Sequence, residues 1–167
     1  MSPDPLALNL ANHSLGSTSD LGRWLTGVGT AVGGSDEVIA FRLPEFAALQ
    51  ASVLDLFEAS IGGGPFPAAA VERLNEVSAR VPRVSRFQGG EARQAPLGSN
   101  PTSLLLAEIA WSAIDLLGGA DRERLRRCDA CGRFFIATRA DRRWCSPACG
   151  NRTRVARHHA RRKAERG

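Results

Sequence analysis

The first 120 residues of this chain contain no cysteine and a single histidine, His13, which leaves little from which to build a catalytic or metal centre. A lone histidine reads as a structural residue. Glu108 and Asp115 share a helix face, but a solvated stripe explains them better than an acid–base pair, which would need a pocket around it. Trp24 and Trp111 read as core. An enzyme is therefore not expected. Long apolar runs are also missing. The most apolar stretch, 104–117, carries Glu108 and Asp115 and is too short to span a bilayer. No basic segment follows Met1, so a signal peptide is not expected, and the expected location is the cytoplasm, where thiols stay reduced. Lysine is nearly absent, with 21 of the 22 basic residues being arginine. The chain is also rich in Ala and Gly, so base composition accounts for part of that preference. The position of the charge is more informative than its type.

Residues 1–120 carry 7 basic and 12 acidic side chains, a net −5. Residues 121–167 carry 15 basic and 5 acidic, a net +10. This split describes an acidic body, 1–120, joined to a module for a polyanion, 121–167. No internal repeat is visible. The body is expected to be mainly α, with four or five short helices and a weak β-hairpin. Residues 6–12 fit helix and strand templates alike. Asp20 can cap a helix through Leu21, Trp24, Leu25 and Val28, and Gly27, Gly29, Gly33 and Gly34 then break the chain. Pro44 reads as the first residue of a helix to 59, with Phe46, Leu49, Val53, Leu56 and Phe57 on one face. Pro67 starts another, with Val71, Leu74 and Val77 inward. The hairpin falls in 81–98 around Gly89-Gly90. Thr102 or Ser103 opens a mostly buried helix to 117, which Gly118-Gly119 stops. Residues 120–127 read as a charged helical connector.

All four cysteines lie in the basic module, as Cys128-Asp-Ala-Cys131-Gly and Cys145-Ser-Pro-Ala-Cys149-Gly. Two intervening residues let Cys128 and Cys131 meet one metal in a tight turn, which Gly132 allows the backbone to close. Ser146 can cap a helix and Pro147 suits its first position, so Cys149 falls in the first turn, where the helix dipole favours a thiolate. Four thiolates at about 2.3 Å form a closed tetrahedral Zn²⁺ site with no position left for water, so one structural zinc is expected. Residues 133–136 and 142–145 look like two short strands joined by 137–141. Phe134, Phe135, Ile136 and Trp144 would supply a miniature core, and metal binding the missing free energy. The whole is a treble-clef-like finger. Two disulfides would need an oxidising compartment, and a redox dithiol explains only the first pair. An iron–sulfur cluster also takes four thiolates, but the strand–helix surroundings favour zinc.

Beyond Cys149 a helix to about residue 165 would place Arg154, Arg157, His158 and Arg161 on one face and Arg152, His159, Lys163 and Arg166 on another. A helix this basic repels itself, and phosphates would relieve the repulsion. Candidate nucleic-acid contacts are Arg142, Arg143, Arg152, Arg154, Arg157, Arg161, Arg162 and Lys163, with Arg142 and Arg143 on opposite faces of a strand. Asn151 is expected to hydrogen-bond a knuckle backbone group, and Arg152 either to hydrogen-bond within the finger or to reach a phosphate. Docking on the acidic body, or on another protein, competes with nucleic acid. A membrane is excluded by the lack of an apolar face.

Arg142-Arg-Trp-Cys-Ser146, followed by Cys149-Gly-Asn-Arg152, resembles the signature of the CGNR zinc-finger family, and 134–138 resembles the segment before it. In that family the finger follows an N-terminal helical domain known as ABATE, described as a stress-induced transcription regulator. Leu10-Ala-Asn12, then Asp20-Leu21 and Trp24-Leu25, resembles the start of that domain. The C-terminal match is specific over about 30 residues. The N-terminal one rests mostly on order and length. The chain departs from the pattern at His13, where Thr or Ser commonly follows the Asn, at Pro147, where Met is frequent, and at Ala137. The resemblance implies zinc binding and nucleic-acid-linked regulation. The expected function is a zinc-dependent, bacterial-type transcription regulator whose finger and basic helix contact DNA and whose body senses a small-molecule effector or mediates dimerisation. The alternative is a zinc-clamped protein-interaction adaptor.

Overall fold

Helix α1, Leu6–Ala11, has only six residues, too few to persist alone, and is held by what surrounds it. Ala7, Leu8 and Leu10 are buried, and the Ala7 N–H donates to Ser112 Oγ at 3.1 Å. At its C-terminal end, Gln50 Nε2 donates to the carbonyls of Leu10 (2.7 Å), in the last turn, and His13 (2.6 Å), just beyond it. The computed structural model describes residues 4–29, 36–98 and 100–164, so Gly33, Gly34 and Arg166 lie outside the described residues.

Helix α2 runs Thr18–Gly27. Its cap is Ser17, not Asp20: the Ser17 hydroxyl accepts the Asp20 N–H and donates to the Asp20 carboxylate at 2.7 Å. Asp20 is the acidic partner at the third helical position, which completes a reciprocal cap. Helix α3, Asp36–Gly62, begins eight residues before Pro44. An internal proline removes one backbone hydrogen bond. The turns before it are retained because Ile39 and Leu43 pack on the core. Phe46, Leu49, Val53, Leu56 and Phe57 are all buried, as their spacing predicts. Helix α4 is Ala68–Ala79, with Pro67 just before it and Leu74 and Val77 inward.

The central helix is α5, Pro101–Gly118, which packs against α1, α3 and α4. The Asn100 side chain caps it by accepting the Ser103 N–H at 2.9 Å. Ten of its side chains are buried, and Glu108 and Asp115 remain exposed. The expected hairpin is present as β1, Arg83–Gln88, antiparallel to β2, Glu91–Pro96. Gly89 and Gly90 turn it with φ of 62° and 85°, which a side chain rarely adopts. Only Val84 and Ala95 are part-buried, so the hairpin projects from the body as an arm.

After α5 the chain forms a 3-10 turn, Ala120–Arg124, and then β3, Leu125–Arg127, instead of a helical connector. Strand β3 pairs antiparallel with β4, Phe134–Ile136. The expected partner of β4 was 142–145, but that segment is irregular. Pairing with β3 is the better use of β4, because it closes over the Cys128–Cys131 turn and sets Leu125 opposite Ile136. The expected miniature core divides accordingly. Phe134 and Ile136 face the body, with the Phe134 ring 5.5 Å from that of Phe57. Phe135 turns the other way and packs with Ala137, Trp144 and the cysteines.

Asn12 fastens this seam. Its Nδ2 donates to the Phe134 carbonyl at 2.8 Å, and its Oδ1 accepts the Phe134 N–H at 2.7 Å. Arg127 adds an ion pair to Glu58 at 2.7 Å. Replacing Asn12 with Ala leaves both backbone groups of Phe134 without partners. It should cost about 2–3 kcal/mol, seen as a lower melting temperature, whereas Asn12→Asp should keep only the N–H bond and fall between.

Candidate metal centre

The four cysteine sulfurs lie within 4.8 Å of one another. Sγ of Cys145 is 3.6 Å from that of Cys131 and 3.7 Å from that of Cys149. A tetrahedron of sulfurs about 2.3 Å from a zinc ion has edges of about 3.8 Å, so the donor set already has the size the metal requires. A disulfide would need sulfurs about 2.05 Å apart, and all four thiols are free.

The local backbone explains how the ligands converge. Cys128 ends the β3 side of the hairpin, where its N–H donates to the Arg133 carbonyl at 2.8 Å. Gly132 then takes φ 74° and donates to the Cys128 carbonyl at 2.9 Å, which closes the turn that presents Cys131. The other two ligands come with helix α6, Pro147–Ala164. Ser146 Oγ accepts the Cys149 N–H at 3.3 Å, which caps the helix and aims the Cys149 sulfur at the cluster. Gly150 lies on the Trp144 ring, where a Cβ would sit 3.4 Å from the indole. Knuckle plus helix N-terminus is the treble-clef-like arrangement.

Two arginines tie these loops together. Arg142 donates to the carbonyls of Trp144 (3.0 Å) and Cys145 (2.6 Å), with its guanidinium 5.4 Å from the centre of the Phe135 ring. Arg143 pairs with Asp129 at 2.6 Å, which bridges the two cysteine segments. Neither side chain extends from a strand, contrary to the sequence pattern. Asn151 also differs from expectation: it is exposed on α6, and its Oδ1 accepts a hydrogen bond from Arg154 rather than from the knuckle. Arg152, Arg157, Arg161 and Arg162 are exposed on the same helix, whereas the Lys163 side chain lies outside the described residues. From Arg154 to Arg162 every residue of α6 is exposed, so the helix leaves the finger as a free rod. The seam residue Asn12 is missing from the chemical reading of the sequence; its only signal is its place in the Leu10-Ala-Asn12 pattern.

Two family models match the chain. Residues 4–120 match the ABATE model, described as "Putative stress-induced transcription regulator". The chain belongs to the ABATE family. Residues 124–162 match the CGNR zinc-finger model. No curated protein matches the chain significantly. The CGNR match and the sulfur geometry agree on one structural zinc held by Cys128, Cys131, Cys145 and Cys149. When bound, it contributes a closed, non-reactive crosslink between the knuckle and α6.

In the CGNR finger the metal-free thiols differ. Burial opposes ionisation of Cys128, but backbone N–H bonds from Cys145, Ala130 and Cys131 outweigh it and lower this thiol to about 6. Burial, then hydrogen bonds with the other three sulfurs, push Cys145 up to about 12. The metal-free form therefore keeps the Cys145 proton through neutral pH, and zinc must displace it. Zinc affinity should rise at least about tenfold per pH unit between about pH 7 and 9 in competition with a chromophoric chelator. The slope should steepen below about 6, where Cys128 also carries a proton. Cys149→Ser should reduce zinc content to near zero by metal analysis, because a serine hydroxyl is a poor zinc ligand.

Proposed function

We propose that this ABATE-family chain is a zinc-dependent DNA-binding transcription regulator of the cytoplasm, with α6 of the CGNR finger as its main DNA contact. The observation that carries this reading is the exposure of Arg152, Arg154, Arg157, Arg161 and Arg162 on a helix whose zinc-bound end is buried at Cys149 and whose residues 154–162 are all exposed. Among the described residues none of these arginines pairs with a carboxylate of the acidic body. An intramolecular dock would have used those carboxylates. The helix is 18 residues long, about 27 Å, enough to lie along a DNA groove. It has no apolar stripe with which to enter a protein groove, which favours nucleic acid over the adaptor reading.

The roles of the arginines divide by position. Arg142 and Arg143 hold the zinc loops, so their loss would weaken binding through the finger itself. Arg152, Arg154, Arg157, Arg161, Arg162 and Lys163 supply charge for phosphates. The reading assigns no catalysis, because four thiolates leave the metal no open position. Among the described residues, no helix is long and apolar enough to cross a membrane.

Neutralising about five phosphates predicts that affinity for duplex DNA falls with salt at a log–log slope near −4 to −5. Mobility-shift titrations over a salt series measure this directly. Arg154→Gln/Arg157→Gln/Arg161→Gln should reduce the slope by about 3 while leaving zinc content unchanged. Absence of binding at low salt, with retention of an acidic protein partner instead, would transfer the function to the adaptor reading.

A further inference from the structure

The β1–β2 arm carries a net charge opposite in sign to that of the rest of the body. Residues 83–96 hold three of the seven arginines in 1–120 and one acid, Glu91, a net +2. The remainder of 1–120 has 4 basic and 11 acidic residues. The arm is thus the basic projection of an acidic body.

Its register concentrates that charge unfavourably. Arg86 lies directly opposite Arg93. Like charges facing each other across a strand pair destabilise it. Arg86 has no hydrogen bond or ion pair among the described residues, and the only carboxylate on Arg93 is the exposed Glu91, at 3.0 Å. On the opposite face, next to the turn, Phe87 is 82% exposed, with only Ala92 across from it. Neither feature serves the fold, since no core residue needs Phe87 and the arginine pair opposes the hairpin. The root, by contrast, is fixed. The Arg83 guanidinium sits 3.9 Å above the Trp111 ring and 3.6 Å from Asp115, and the Leu97 N–H closes on the Pro82 carbonyl at 2.8 Å. A ribbon six residues long reaches about 20 Å from that root.

We infer that this arm is a second DNA-contacting element. It enters a groove of the duplex as a two-stranded ribbon, with Arg86 and Arg93 on backbone phosphates and Phe87 at the tip against sugar and base. A two-stranded ribbon fits the major groove, an anion between the two arginines removes their mutual repulsion, and an exposed aromatic beside basic residues suits stacking or wedging against bases. The inference rests on the nucleic-acid reading of α6 and adds a separate contact within the ABATE domain.

The test uses the full zinc-loaded chain, fluorescence anisotropy with duplex DNA over a salt series, and thermal melting. Arg86→Gln/Arg93→Gln should bind about tenfold more weakly and lose about 2 from the log–log slope. It should melt at or above the wild-type temperature, because the like-charge pair is gone. Phe87→Ala should weaken binding at least about fivefold with the slope unchanged. If these variants keep wild-type affinity and slope while the α6 triple variant loses them, the arm assignment is wrong and the reading of α6 stands. If the wild-type chain shows no salt-dependent binding, both are wrong. If Phe87→Ala instead dissociates a wild-type dimer in sedimentation while DNA affinity is unchanged, the arm is a self-association element and the inference is overturned.

Discussion

Consecutive side chains of a strand point to opposite faces, and in β4 those two faces belong to different cores. Phe134 is buried with Phe57 and Leu125 in the helical body, while Phe135 is buried with Cys128, Cys149 and Trp144 around the sulfurs. Any displacement of β4 that suits one side therefore disturbs the other. Asn12 adds direction to this constraint. A side-chain amide that both donates to and accepts from a single residue copies one rung of a β-ladder, and it fixes Phe134 in register as well as in position. The finger is thus held as an extension of the ABATE domain's core, not tethered beside it.

That attachment gives the zinc a role beyond the finger. So few apolar residues surround the cysteines that the metal must supply much of the free energy of the local fold. The same crosslink sets where α6 begins. Ser146 and Cys149 together fix its first turn, and the helix is exposed from Arg154 to Arg162, so its direction is decided at its root. From the helical core through β4 and the thiolates to α6 there is a continuous path of packed or bonded groups. A free helix of this composition would fray from self-repulsion, and anchoring one end reduces that cost.

Much of this was legible in the chain because it depends on local spacing. The two cysteine pairs, the Ser146-Pro147 helix start and the apolar face of α3 are short-range patterns, and each appears where its spacing places it. The hairpin of β1 and β2 needed only the Gly89-Gly90 turn to be recognised. What was not legible depends on partners distant in sequence. The pairing of β4 with β3 rather than with 142–145 is decided by Leu125 and Ile136 reaching the body core. Pro44 reads locally as a helix start, yet α3 continues through it because Ile39 and Leu43 find core contacts. The inward turn of Arg142 follows from carbonyls that only the folded loops bring together.

The sequence by itself determined the donor set, the helical character of the body and the separation of charge, since each follows from residue identity and near-neighbour spacing. Only the tertiary structure decided that Asn12 clasps Phe134 across 122 positions, that the two aromatic neighbours Phe134 and Phe135 serve different cores, and which arginines are consumed in holding the finger and which are left facing solvent. The physical reason is common to all three. A hydrogen bond or a packed ring depends on which groups are left without partners once the helices have assembled, and no local pattern carries that information.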